Sequence, residues 1–144
     1  MIALDTNILV YAHRAESKFY PAAREHVERL AEGRNAWAIP WSCVHEFYGV
    51  VTNRRIFSVP SPKESALAQI AAWLASPKLV LLHEGPDHWN LLREFIDAGQ
   101  ITGPMVHDAR IAAMCVAHGV RELWSADRDF NRFPQLTVRN PLIG

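Results

Sequence analysis

The chain has 144 residues, 49% of them hydrophobic and 21% charged, with 15 basic and 15 acidic side chains and a formal net charge of +0. That composition excludes intrinsic disorder, and the neutral total gives no global electrostatic pull on nucleic acid, so any such binding has to come from local patches. No apolar run approaches the roughly 18 residues of a membrane span, and Asp5 interrupts an N-terminus that lacks a basic start, which reads against a signal peptide and for a cytoplasmic protein.

The length fits one domain over residues 1–144, able to bury roughly 70% of its unfolded surface in a single core. Cys43 and Cys115 are isolated, with no partner at metal-ligand spacing, and read as small buried apolar side chains.

In chain order, Ile2 to Leu4 are predicted as a first strand and Ile8 to His13 as a short helix. A helix beginning near Pro21 carries an apolar stripe of Ala23, Val27, Leu30 and Ala31, with Gly33 placed to end it. Ala36 to Ile39 form a second strand before Pro40, and Val44, Phe47, Tyr48 and Val51 follow at helical spacing. Ser42 is expected to cap that helix, a simpler role than nucleophile beside His45. Arg54 to Pro62 is the longest connection, and the helices around it are expected to project as a hairpin.

Ser61-Pro62-Lys63-Glu64 predicts a capping box with proline in the first turn, opening a helix whose stripe is Leu67, Ile70, Ala71 and Leu74. Leu79 to Leu82 predict a strand buried on both faces. Trp89, Leu92 and Ile96 mark a further helix stopped near Gly99. The helix from Pro104 presents Met105, Ala109, Ala112, Ala113 and Val116 and ends at Gly119. Glu122 to Trp124 form a strand, and Leu136 to Val138 an edge strand. Trp73, Trp89 and Trp124 fit core positions, whereas Trp37 and Trp41 are left unassigned. The alternation of strands and helices predicts an α/β fold with a parallel sheet.

The chemistry-bearing residues are acids at element ends. Asp5 follows the first strand, Asp108 lies in the first turn of the Pro104 helix, and Asp127 follows Leu123-Trp124. Each alone is explained as a cap or a helix-dipole partner. As a set they differ, because neighbouring parallel strands align their C-terminal ends on one rim. Three converging carboxylates repel at low dielectric and need a cation, and oxygen-only ligands suit Mg²⁺ or Mn²⁺ rather than zinc. On its helical wheel Glu46 points away from the apolar stripe and reads as solvated.

Ile2 to Leu9, with Leu4-Asp5-Thr6-Asn7 at its centre, followed by Glu46, His107-Asp108-Ala109 and Ser125-Ala126-Asp127-Arg128-Asp129-Phe130, resembles the PIN-domain ribonuclease pattern, above all that of VapC-type toxins. The likeness covers essentially the whole chain. Ser125 stands where this family more often has threonine, a change that keeps the hydroxyl.

The resemblance implies a three-layer α/β/α fold around a parallel sheet of four to five strands. It implies a metal-dependent endoribonuclease acting as the toxin of a toxin–antitoxin pair, with Asp5, Glu46, Asp108 and Asp127 as the acidic quartet. Asp5, Asp108 and Asp127 would hold Mg²⁺ or Mn²⁺, Glu46 would complete the shell or orient water, Asp129 would be auxiliary, and Thr6 and Ser125 would line the site. It also implies a homodimer and a cognate antitoxin covering the cleft.

Arg14, Arg54, Arg55 and Arg128 are candidate RNA contacts, although each taken singly reads as a surface charge. Three rivals remain: a housekeeping RNA-processing nuclease, a non-catalytic module whose acids are caps, and an aspartyl-phosphate phosphohydrolase. The last would want an acid two residues after Asp5, where Asn7 stands.

Overall fold

Five short strands build one fully parallel sheet in the order β3-β2-β1-β4-β5. The structure, a computed structural model, describes residues 1–143. In chain order the elements are β1 (Ile2–Leu4), α1 (Thr6–His13), α2 (Tyr20–Glu32), β2 (Trp37–Pro40), α3 (Trp41–Val51), α4 (Lys63–Leu74), β3 (Leu79–Leu82), α5 (His88–Gly99), α6 (Val106–Ala117), β4 (Glu122–Trp124) and β5 (Val138–Arg139). Single 3₁₀ turns at Gly103–Met105 and Arg128–Arg132 complete the set.

The strand order fixes the layers. From β1 the chain moves outward to β2 and β3, then returns across the sheet to β4 on the other flank of β1. Right-handed crossovers therefore put α1 to α4 on one face and α5 with α6 on the other. The packing agrees, since α1 contacts α2 and α3, α3 contacts α4, and α5 contacts α6. This is the expected α/β/α sandwich with a parallel sheet. The reversal of direction falls between β1 and β4, and the crevice at their C-terminal ends is where such sheets bind ligands. Asp5 and Asp127 leave those two strands.

The core explains why these segments hold their positions. β1 is central and its Ala3 and Leu4 are fully buried, as are Trp37, Ala38 and Ile39 of β2. Phe47 of α3 packs edge-on against Trp73 of α4 with ring centroids 4.8 Å apart, and Phe130 and Phe133 close the far end. Burying each such ring contributes about 1.5–3 kcal/mol. Helix α6 is buried nearly all round, through Ala109, Ile111, Ala112, Ala113, Met114 and Cys115, which holds its first turn firmly over the rim. Cys43 and Cys115 are both buried and free, as expected.

Several local expectations are corrected. Ser61 does not cap α4: the helix starts at Lys63 with Pro62 as cap, and the Ser61 hydroxyl instead meets His13 Nε2 at 3.0 Å and accepts from Arg14 at 3.1 Å. Ser42 does not cap α3, which begins at Trp41 after Pro40; its hydroxyl is buried without a partner. The inward side of α4 is Ala66 and Trp73, leaving Leu67 at 50% and Leu74 at 42% exposure, because the helix is rolled about its axis to fit Trp73 against Phe47. Trp89 is 62% exposed rather than core, because Leu92 and Phe95 are the buried side of α5. Strand β3 lies at the sheet edge, so only Leu82 is fully buried there. The last strand is Val138–Arg139, two residues beyond the start of the predicted one, and α6 begins at Val106 after the 3₁₀ turn rather than at Pro104.

Candidate active site and metal centre

The rim of the switch point is assembled by hydrogen bonds between the two ends of the chain. Asp5 caps α1 and accepts from the Thr6 backbone N–H at 2.8 Å on Oδ1. Its other oxygen accepts from the Ser125 hydroxyl at 2.7 Å and from the Asn7 amide at 3.2 Å. The Ser125 oxygen in turn accepts from the Asp127 backbone N–H at 3.0 Å, and the Asn7 carbonyl accepts from the Ala126 backbone N–H at 3.0 Å. Asp127 caps its own turn by accepting from the Asp129 N–H at 2.9 Å. Two of the candidate ligands, Asp5 and Asp127, are thus also caps. A carboxylate bound at one oxygen still offers lone pairs at the other.

Asp5, Glu46, Asp108 and Asp127 line one cavity of about 360 Å³, together with Thr6, Asn7 and His107. One carboxylate oxygen each from Asp108, Asp127 and Asp129 lie within 4.8 Å of one another. The convergent trio therefore includes Asp129, expected only as an auxiliary acid. Asp5 sits deeper, 6% exposed, with both oxygens engaged. Glu46 is exposed at the cavity wall, so its place outside the apolar stripe of α3 and its place at the cleft are compatible.

Charge in the cleft is concentrated and uncompensated. Among the described residues, the salt bridges involve none of these five acids. Burial, reinforced by the charges of Asp127, Asp5, Asp129 and Glu46, raises the Asp108 carboxyl to about 6. Burial also raises Asp5, against the lowering pull of its Ser125 and Thr6 hydrogen bonds and with further upward push from Glu46 and Asp127. Cys43, whose Sγ lies 3.7 Å from Asp5 Oδ1, is pushed well above the usual thiol range by burial and by the Asp5 charge, and stays a thiol. Carboxylates held this close without counter-ions form a site that a divalent cation would relieve. The all-oxygen donor set fits a hard cation.

The candidate RNA contacts separate. Arg54, Arg55 and Arg128 are exposed. Arg14 is held inside the protein, donating to the Val59 carbonyl at 2.7 Å and the Ser61 hydroxyl, pairing with Glu16 at 2.6 Å, and lying 4.1 Å over the Phe57 ring. Sequence reasoning did not single out Asn7, Tyr11 or Phe57 as site residues, yet all three line the cavity. For Asn7 there was a signal: an amide two residues past an N-cap aspartate can bond back to that cap. Nothing local placed Tyr11 or Phe57 beside the acids, because their place depends on how the 53–62 segment folds over α1.

The PIN domain family matches residues 2–136. The chain belongs to the PIN-domain family. This PIN domain is 38% identical over 144 residues to Ribonuclease VapC43 of Mycobacterium tuberculosis, covering 100% of this chain and 97% of that protein. It is 36% identical over 143 residues to Ribonuclease VapC31 of the same organism, covering 99% and 100% of the two chains. Among solved structures, VapBC2 from Rickettsia felis bound to a DNA fragment from its promoter superposes with a TM-score of 0.67 at 26% identity, over 97% of this chain and 98% of that one. M. tuberculosis VapC20, described as a sarcin–ricin loop cleaving toxin, gives a TM-score of 0.69 over 97% and 100% of the chains; at 18% identity it speaks for the PIN fold alone.

Proposed function

We propose that the chain is a divalent-metal-dependent endoribonuclease, the toxin of a toxin–antitoxin pair, with residues 1–144 acting as one nuclease domain. The supporting observation is that Asp5, Glu46, Asp108 and Asp127 line one cavity at the switch point of a PIN domain related throughout its length to VapC ribonucleases. Asp108 and Asp127, with Asp129 beside them and Asp5 beneath, would hold Mg²⁺ or Mn²⁺. When bound, such an ion offsets charge on the phosphoryl oxygens and acidifies a coordinated water.

The protein's own groups supply the rest. Ser125, Asn7 and the Thr6 N–H orient Asp5 and keep it from swinging out of the cleft. Glu46, exposed at the wall, is the acceptor for the proton of the attacking water. Hydrolysis joins the water oxygen to phosphorus, breaks one P–O bond to the neighbouring sugar, and leaves that sugar oxygen to take a proton from solvent. Asp108, raised to about 6 by burial and by the neighbouring acids, is for the most part ionised at neutral pH and ready for a cation.

Arg54, Arg55 and Arg128 would meet phosphates. A cognate antitoxin is the protein partner, in keeping with the R. felis complex. Leu67 and Leu74, seven residues apart on the outward side of α4, offer apolar surface for a homodimer. Among the described residues no helix is long and apolar enough to cross a membrane, and an RNA substrate would put the site of action in the cytoplasm.

Induction of the chain in a bacterial host tests the toxin role. Growth arrest with discrete RNA fragments, relieved by the co-expressed antitoxin and absent with Asp108→Asn, is expected; arrest by Asp108→Asn equal to that by the parent would contradict it.

A further inference from the structure

The acidic cavity does not stand alone. On one side it shares Val10, Tyr11, Ile56 and Phe57 with a groove of about 840 Å³ that runs between the end of α1 and the 56–62 segment. On the other it shares Thr6, Glu46, His107 and Ile111 with a recess of about 190 Å³ that reaches Ser42 and Arg110. The acids therefore lie between an adjoining groove and an adjoining recess, which together make a candidate track for a strand. Any phosphodiester delivered to them brings a nucleotide on each side, and those nucleotides need adjoining space.

The groove has the features of a base platform where it meets the acids. Phe57 is half-buried, and the Arg14 guanidinium lies 4.1 Å over its ring. Arg14 is itself anchored to the Val59 carbonyl and the Ser61 hydroxyl, so the ring is fixed before any ligand arrives. Preorganisation of this kind removes ordering cost on binding. Glu16, the one acid among the described residues lining the groove, is paired with Arg14 at 2.6 Å, and Arg54 and Arg55 stand exposed immediately before the 56–62 segment. Fixed aromatic faces beside cations are how proteins hold single strands, because every base has a π-face and the backbone is anionic. Paired bases inside a duplex cannot reach such a platform.

The geometry points to an extended single strand of RNA lying along this track, with the base next to the scissile phosphate stacked on Phe57 at the groove mouth beside Tyr11, and the following nucleotide entering the recess toward Arg110. This rests on the ribonuclease function proposed above. Phe57 is then a substrate-positioning residue, and Arg14 acts through it.

The test measures binding of a short, mixed-sequence, single-stranded oligoribonucleotide containing 2-aminopurine, with Mn²⁺ present and Asp108→Asn as the parent so that the strand stays intact. The parent should bind and quench the fluorophore by stacking. Adding Phe57→Ala should weaken binding about 5- to 100-fold and abolish the quenching, while Phe57→Tyr keeps both. In the otherwise unaltered chain, Phe57→Ala should leave the Mn²⁺-induced rise in melting temperature unchanged, which separates lost stacking from a damaged fold. An unchanged dissociation constant for Phe57→Ala would overturn the track. If that variant instead loses only co-purification with the co-expressed antitoxin, the groove is a protein-docking surface and the track is equally overturned. Failure of both this parent and the otherwise unaltered chain to bind any RNA would overturn the ribonuclease function and the track with it.

Discussion

Asn7 and Ser125 are 118 residues apart in sequence, and the Asn7 side-chain amide donates to the Ser125 hydroxyl at 3.3 Å. Both also donate to the same oxygen of Asp5, at 3.2 and 2.7 Å. Asn7 thereby uses both amide hydrogens and, through Ala126 N–H, its carbonyl. An aspartate at this position would keep the acceptance from Ala126, lose both donations and set a second carboxylate against Asp5. That is the physical reason an amide suits position 7.

Asn7→Asp is therefore expected to weaken Mn²⁺ binding and cut ribonuclease activity by at least ~10-fold. Ser125→Ala should cost about 1–3 kcal/mol of stability in urea unfolding, because it strands the Asp127 N–H and removes the shortest bond to Asp5. Wild-type Mn²⁺ affinity in both variants would show that the network does not orient the site.

Asp108 supplies a pH signature. Its carboxyl is raised from 3.8 to about 6, so between those values the folded state binds more protons than the unfolded one. Stability from this group is full below the unfolded value and is lost as pH rises through the folded one. Without metal, Asp108→Asn should raise the melting temperature relative to wild type, by a small margin near pH 4 and by its full margin above about 6. With saturating Mn²⁺ the order should reverse, since the variant loses a ligand. A pH-independent difference between the two proteins would contradict the crowding of carboxylates in the cleft.

Arg14 is expected to act through structure. Removing its bonds to Val59 and Ser61 in Arg14→Ala should destabilise the fold by about 1–2 kcal/mol and loosen the Phe57 wall. Arg14→Lys should not restore it, because an ammonium lacks the fork that reaches both oxygens while lying over the ring. An unchanged melting temperature with weakened RNA binding would return Arg14 to the role of a direct contact.

Much of this molecule was legible beforehand, for reasons visible in particular residues. The parallel strands announced themselves as short apolar runs, and Asp5 and Asp127 share a rim because β1 and β4 pair, Leu4 with Trp124. What could not be read was the identity of competing partners. Ser61 had the spacing of a cap, yet His13 and Arg14 reach it from α1, more than 45 residues away. Leu67 and Trp73 both fit apolar faces of α4, and the choice between them is made by Phe47 on another helix. Asp129 joins Asp108 and Asp127 only because the 3₁₀ turn at 128–132 brings its side chain back to the rim. Local pattern fixes which elements form; tertiary contact decides which of their faces are used.

The two tryptophans that pattern alone treated alike should behave differently. Trp73→Ala is expected to cost about 3–5 kcal/mol, as a buried ring packed on Phe47. Trp89→Ser, at an exposed position, should stay within about 0.5 kcal/mol of wild type. Denaturant midpoints at constant slope measure both, and a large loss at Trp89 would indicate an assembly contact on α5.

The decisive measurement is cleavage of total bacterial RNA by the purified protein with Mn²⁺ or Mg²⁺, run beside EDTA and beside Asp108→Asn. Discrete fragments that vanish in both controls are the expected result. Fragments that persist in EDTA, or are produced equally by Asp108→Asn, would contradict a metal-dependent nuclease built on these acids.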